Sequence, residues 1–244
     1  MLMDLINSLN NQLFDFSEVV DANDLIRKMR TDLNVFFVDG FVFKLVSNFH
    51  GENPVFDYLS GGQHAVCDEY ERRHWDGIDP FFLHAQQRIV PFDKINEDDL
   101  NLAQQDMVRY LNESGYKNYC IIPLHSKYGV GVRFAVFYLW SKLQGSHAKI
   151  NLNNLSAILV SYGYYIFDCF VELRRSYFMK YFEFSDVDLL IVKMVCSGLS
   201  AEGMAVKLNV GERMIKKRIE SITNIYEANG ESDFFRASTR FMLV

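Results

Sequence analysis

Residues 184–226 read FSDVDLLIVKMVCSGLSAEGMAVKLNVGERMIKKRIESITNIY. The pattern predicts a short helix, a glycine turn, a second short helix, a tight turn and a longer third helix. Gly198 can take a positive φ and end the first helix. Ser200 can cap the second by accepting a backbone N–H, and Ala205 is small enough for two helices to cross closely. In the third, Ile215, Ile219, Ile222 and Tyr226 recur at helical spacing and define an inward face. Arg213, Lys216, Lys217 and Arg218 occupy the rest of the surface. An apolar inner face with a basic outer one suits a helix that lies in a DNA major groove. The stretch therefore reads as a helix-turn-helix with double-stranded DNA as its partner. Its contact candidates are Ser200, Arg213, Lys216, Lys217, Arg218 and Glu220. Glu220, one turn beyond Lys216, would repel phosphates or accept from a cytosine amine.

The charge of this tail is modest. From Phe184 onward eight Lys/Arg balance eight Asp/Glu, so the first 183 residues hold the whole net charge of −6. Residues 211–226 hold four basic and two acidic side chains, a local +2. DNA affinity grows with the number of phosphates neutralised, so one such unit binds weakly and a homodimer is expected.

Upstream the pattern alternates between helical and extended. Amphipathic helices are expected over residues 4–16 and 21–33, the second capped by Asp21 or Asn23. Strand-like residues 35–43 surround an Asp39-Gly40 turn signal, and 54–59 add a short strand. Residues 63–73 return to helix, 75–80 break it, and Asp79-Pro80 launches a short helix over 81–87. A helix over 97–113 ends at Ser114-Gly115. Strands over 119–125 and 132–140 flank the loop SKYGVG, and 152–175 forms a helix about 35 Å long. The class is α+β: an N-terminal α/β sandwich, with a mainly antiparallel sheet covered by helices, followed by a small all-α domain. The expected limits are 1–175 for the first domain, 176–183 for an aromatic connector and 184–244 for the helix-turn-helix. The long helix is a candidate either for a dimer contact or for packing solely within its own domain.

Other classes find little support. The four cysteines form no CxxC pair and the six histidines no HExxH spacing, so neither metal nor disulfide is expected. G-x-S-x-G, P-loop and G-x-G-x-x-G motifs are missing, so an enzyme is not expected. The apolar runs fall short of the roughly 18 residues of a membrane helix, and the acidic start lacks the basic head of a signal peptide. A cytoplasmic protein is the expectation. The first domain is rich in aromatics, Trp75 among them, most of them core material. A sheet lined by aromatics around one buried carboxylate would also suit a small amphipathic molecule.

The last 60 or so residues resemble the DNA-binding domain of LuxR-type quorum-sensing regulators. The matching positions are Phe184-Ser185, Gly198-Leu199-Ser200, Met204-Ala205-Val206-Lys207-Leu208 and Gly211-Glu212-Arg213-Met214-Ile215-Lys216. The first domain is similar to that family's acyl-homoserine-lactone-binding domain. Tyr70 stands nine residues before Asp79-Pro80, Ile89-Val90-Pro91-Phe92 lies near an apolar run, and Gly115 and Gly131 precede strands. The resemblance implies that Asp79 accepts the amide N–H of an acyl-homoserine lactone and that Tyr70 lines the pocket. Val66, Trp75, Phe92 and Tyr119 are further lining candidates, and RNA polymerase is a further partner. The sequence also departs from the family. Val66 replaces a tryptophan, a second tryptophan falls on Phe92 or Lys94, and Tyr119 replaces a glycine. Met214 replaces a threonine and Gly203 an acidic residue. A ligand-independent or antagonistic protein, acting through protein–protein contacts, is the alternative these departures leave open.

Overall fold

The computed structural model describes residues 13–48, 55–62, 64–116, 118–125, 132–141, 155–230, 233, 234, 237, 238 and 243. The expected helix over 4–16 lies largely outside these residues, as do Gln63, the SKYGVG loop and Gly131. The chain divides into two compact units, one of residues 1–46, 56–125 and 134–169, the other of residues 47–55, 126–133 and 170–244.

The first unit is built on a four-stranded antiparallel sheet. Its strands are β1 (Gly40–Asn48), β2 (Val55–Gly61), β3 (Asn118–His125) and β4 (Val132–Ser141), in the order β2-β1-β4-β3. Strands β3 and β4 pair antiparallel, with Ile121 opposite Tyr138 and Tyr119 opposite Trp140. Both faces of β4 are buried, so its sequence is nearly all apolar instead of alternating. On one face Phe41 and Phe43 of β1 meet Phe137 edge-on, and Phe43 meets Phe167. Phe167 belongs to a 26-residue helix, Ser156–Tyr181. The other face carries Val46, Phe134, Val136, Tyr138 and Trp140 into a second layer with Trp75, Phe81, Phe82 and Met107. Each such side chain contributes about 1.5–3 kcal/mol when fully buried.

Helix α1 (Ala22–Asn34) opens where expected, with the Asp21 side chain accepting from Asp24 N–H. The turn signalled by Asp39-Gly40 is not formed. Residues 35–37 instead unwind the end of α1, Phe37 takes φ 58°, and Asp39 N–H donates to Trp140 C=O at 2.9 Å as the chain enters β1. Helix α2 (His64–Arg72), a 3₁₀ turn (Trp75–Gly77) and α3 (Pro80–Ala85) follow β2. The helix expected from residue 97 starts later, as α4 (Leu102–Glu113), because Asn101 and Gln104 form a reciprocal capping box there. Residues 97–99 make a separate 3₁₀ turn.

The long helix, α5 (Ser156–Tyr181), continues through most of the expected connector. Among the described residues it is the one helix long and apolar enough to cross a membrane by length and composition alone. Much of that apolarity is core: Leu159, Tyr162 and Ile166 are fully buried.

From residue 170 onward the described elements are all helical. Helices α6 (Asp186–Cys196), α7 (Ala201–Leu208) and α8 (Glu212–Ala228) surround Ile191, Val192, Met204, Ile215, Ile222 and Tyr226. Gly198 takes φ 76° after α6, and Ser200 caps α7 by accepting from Gly203 N–H at 3.1 Å. Asn209, at φ 53°, turns the chain between α7 and α8.

Candidate functional site

Asp79 is the hub of the first unit's polar chemistry. It precedes Pro80, whose fixed φ favours the first helical turn, and its Oδ1 accepts from Phe81 N–H at 2.9 Å and Phe82 N–H at 3.1 Å. Oδ2 accepts from the Tyr70 hydroxyl at 2.9 Å and the Tyr138 hydroxyl at 2.6 Å. The residue has no exposed surface, and four donors make its burial tolerable. Burial, with the neighbouring Asp79 charge, pushes the Tyr70 and Tyr138 hydroxyls well above the ordinary tyrosine range, so both remain donors.

Lys44 extends this network. It is the single charge in β1, 1% exposed, and its Nζ donates to the Tyr70 hydroxyl at 3.0 Å. The ammonium also stands 4.1 Å from the Phe56 ring centroid and 4.3 Å from that of Phe82. Burial lowers its pKa to about 8, with Asp79 pulling in the opposite direction.

Beside this cluster lies a cavity of about 120 Å³. Val66, Tyr70 and Tyr119 are among the residues that line it, joined by Lys44, Tyr138 and Trp140, which the sequence reading did not single out. Asp79, Trp75 and Phe92 do not reach the wall. Asp79 is screened by the two tyrosines. Trp75 is held edge-on to Tyr70 and tilted against Tyr110. Phe92 is fastened by paired backbone bonds to Ile121 and by an edge contact with His84. Lys44 did leave a signal: a lone charge in GFVFKLVSN, in register with Val42 and Val46 on the cavity side. Trp140 packs over Gly40, where a Cβ would fall 2.0 Å from its Nε1. That indole N–H is buried and has no hydrogen-bond partner among the described residues.

In the second unit Arg213, Lys216, Lys217 and Glu220 are exposed on α8, with Lys216 Nζ 2.6 Å from Glu212 Oε1. Ser200 is exposed, but its hydroxyl already caps α7. Arg218 departs from the expected DNA face. It turns inward and grips Asp188 of α6 through both Nε and Nη2, the latter 2.5 Å from Oδ2. An inward arginine answers the 1% exposed Asp188 carboxylate, which would otherwise be buried without a counter-charge. Burial raises the Asp188 pKa, but Arg218 and Ser185 outweigh it and hold it down at about 2.

No family model matches the sequence, and no curated protein does. Solved structures do match. Escherichia coli SdiA aligns over 98% of this chain and 98% of its own, at TM-score 0.60 and 11% identity. SdiA in complex with octanoyl-rac-glycerol aligns over 98% and 96%, at 0.59 and 11%. CepR2 of Burkholderia cenocepacia, an N-acylhomoserine-lactone-dependent LuxR family transcription factor, aligns over 68% and 93%, at 0.54 and 14%. The chain has the LuxR-type fold. At these identities the likeness is one of architecture, and the site must speak for itself.

Proposed function

We propose that the protein is a ligand-responsive transcriptional regulator. In this reading residues 1–175 take up a small amphipathic molecule and dimerise, 176–183 connect, and 184–244 bind operator DNA. The observation that carries it is the apolar cavity with a converging polar cluster at Lys44, Tyr70 and Tyr138, in a unit with the fold of known sensors. The exposed Arg213, Lys216 and Lys217 on α8 support the DNA half. Two copies would be needed, since one such helix makes few contacts while two span successive turns of the operator. A cytoplasmic home and recruitment of RNA polymerase follow from the same reading.

An acyl-homoserine lactone is the ligand that the sequence resemblance implies. SdiA in complex with octanoyl-rac-glycerol supports a wider range of acyl ligands for this fold. One observation favours a second reading, a ligand-independent or antagonistic protein. Asp79 already accepts four hydrogen bonds, so a lactone amide must displace one of them. A panel of acyl compounds separates the two, because bound ligand raises the melting temperature and a ligand-independent protein shows no shift.

The DNA half has its own test. Lys216→Ala is expected to weaken operator binding several-fold and reduce its salt dependence by about one counterion. Lys207→Ala, on the preceding helix, is expected to change it less. Equal binding by both variants in a salt titration would overturn the assignment of α8 to the groove.

A further inference from the structure

We infer that the cavity is built for a small carboxylic acid with an apolar body the size of a six- to ten-carbon chain, its carboxylate held by Lys44. The inference rests on the sensor reading of the first unit and names the head group that unit would recognise.

Lys44 decides the chemistry. An ammonium has three N–H donors, and here the described contacts give it one hydrogen bond, to Tyr70, and otherwise aromatic faces at Phe56 and Phe82. The nearest carboxylate, Asp79, is engaged by two amides and two hydroxyls and lies behind the tyrosines. It does not pair directly with the lysine. The cavity wall therefore carries a buried cation with donors to spare. A head group that only accepts, and carries the opposite charge, completes the lysine. A carboxylate does this, in charge-assisted bonds strengthened by the apolar surroundings. An amide N–H, by contrast, would need an acceptor that Asp79 no longer offers.

Size sets the body. A water needs about 10–15 Å³ of such space, so about 120 Å³ holds on the order of eight to twelve heavy atoms, the count of hexanoic to decanoic acid. Val42, Val66, Met107 and Ile121 supply an apolar wall for it.

The test titrates the full-length protein at pH 7 with octanoate, octanamide and N-octanoyl-homoserine lactone, read by calorimetry and by melting temperature. Octanoate is expected to bind at least about tenfold more tightly than octanamide, the difference of one charge-assisted hydrogen bond. Lys44→Met, shown folded by circular dichroism, should erase that preference. Should the variant not fold, the wild-type pH profile carries the same information. Lys44 titrates near pH 8, so octanoate affinity should fall about fivefold from pH 8 to pH 9, with octanamide unchanged. Equal affinity for octanoate and octanamide overturns the inference. Tight lactone binding without octanoate binding overturns it too, but leaves the sensor reading standing. Binding of none of the three overturns both.

Discussion

Asp79 and Asp188 are the same side chain in the same predicament, each almost wholly buried at the start of a helix, and the two units resolve it differently. Asp188, at the third position of α6, exchanges hydrogen bonds with Ser185 and is neutralised by Arg218 from α8. Charge and counter-charge meet directly, so the pair ties two helices and leaves nothing over for a partner. Asp79 receives only neutral donors, and its cation, Lys44, sits one tyrosine away at a cavity wall. That separation leaves Lys44 with bonding capacity that a ligand can use. A closed ion pair holds a fold together, whereas a pair held apart by a hydroxyl keeps a site open to chemistry.

The largest way to break this comparison is Asp79→Ala. It strands two tyrosine hydroxyls, two backbone amides and a buried ammonium at once, and should lower unfolding stability by about 3–5 kcal/mol in urea denaturation. A loss under about 1 kcal/mol would mean that water replaces the carboxylate at little cost. Arg218→Met comes next, at about 2–4 kcal/mol, less than for a fully dry pair because the arginine is partly exposed. Adding Asp188→Asn should recover part of the loss in a double-mutant cycle, and simple additivity would show that the two do not couple.

The smallest effect is in pH, where stability rises with pH in both units but at opposite ends of the scale. Lys44 is lowered to about 8 in the folded state, so above that pH the unfolded chain binds the extra proton and stability rises, by about 1 kcal/mol from pH 8 to pH 9. Lys44→Met should flatten that rise. Asp188, held at about 2, adds stability that is fully present above its unfolded pKa near 3.9 and is lost as pH falls toward 2. Arg218→Met should remove much of that acid limb while leaving the alkaline rise alone.

Much of the architecture was legible because it rests on local chemistry. Asp79-Pro80 announces a capped helix, Gly198 and Ser200 punctuate the second unit, and Ile215, Ile222 and Tyr226 set the inward face of α8. Less legible were pairings between distant residues. Nothing in the spacing of Asp188 and Arg218 marks them as partners, and Arg218 reads equally well as a DNA contact. Trp75 and Phe92 look like lining aromatics until their ring and strand contacts place them behind the wall. Lys44 was visible as a charge in an apolar strand, but which face it occupied depended on the true start of β1.

The floor under Trp140 is a missing atom. Because Gly40 has no side chain, the indole can lie against the strand there, and any larger residue would have to push it aside by more than an ångström. The backbone of β1 would keep its pairing through such a change, while the room beside Lys44 would shrink or reshape. Under the proposed sensor reading, molecular selectivity would drift through a position outside the cavity wall, leaving the lysine in place.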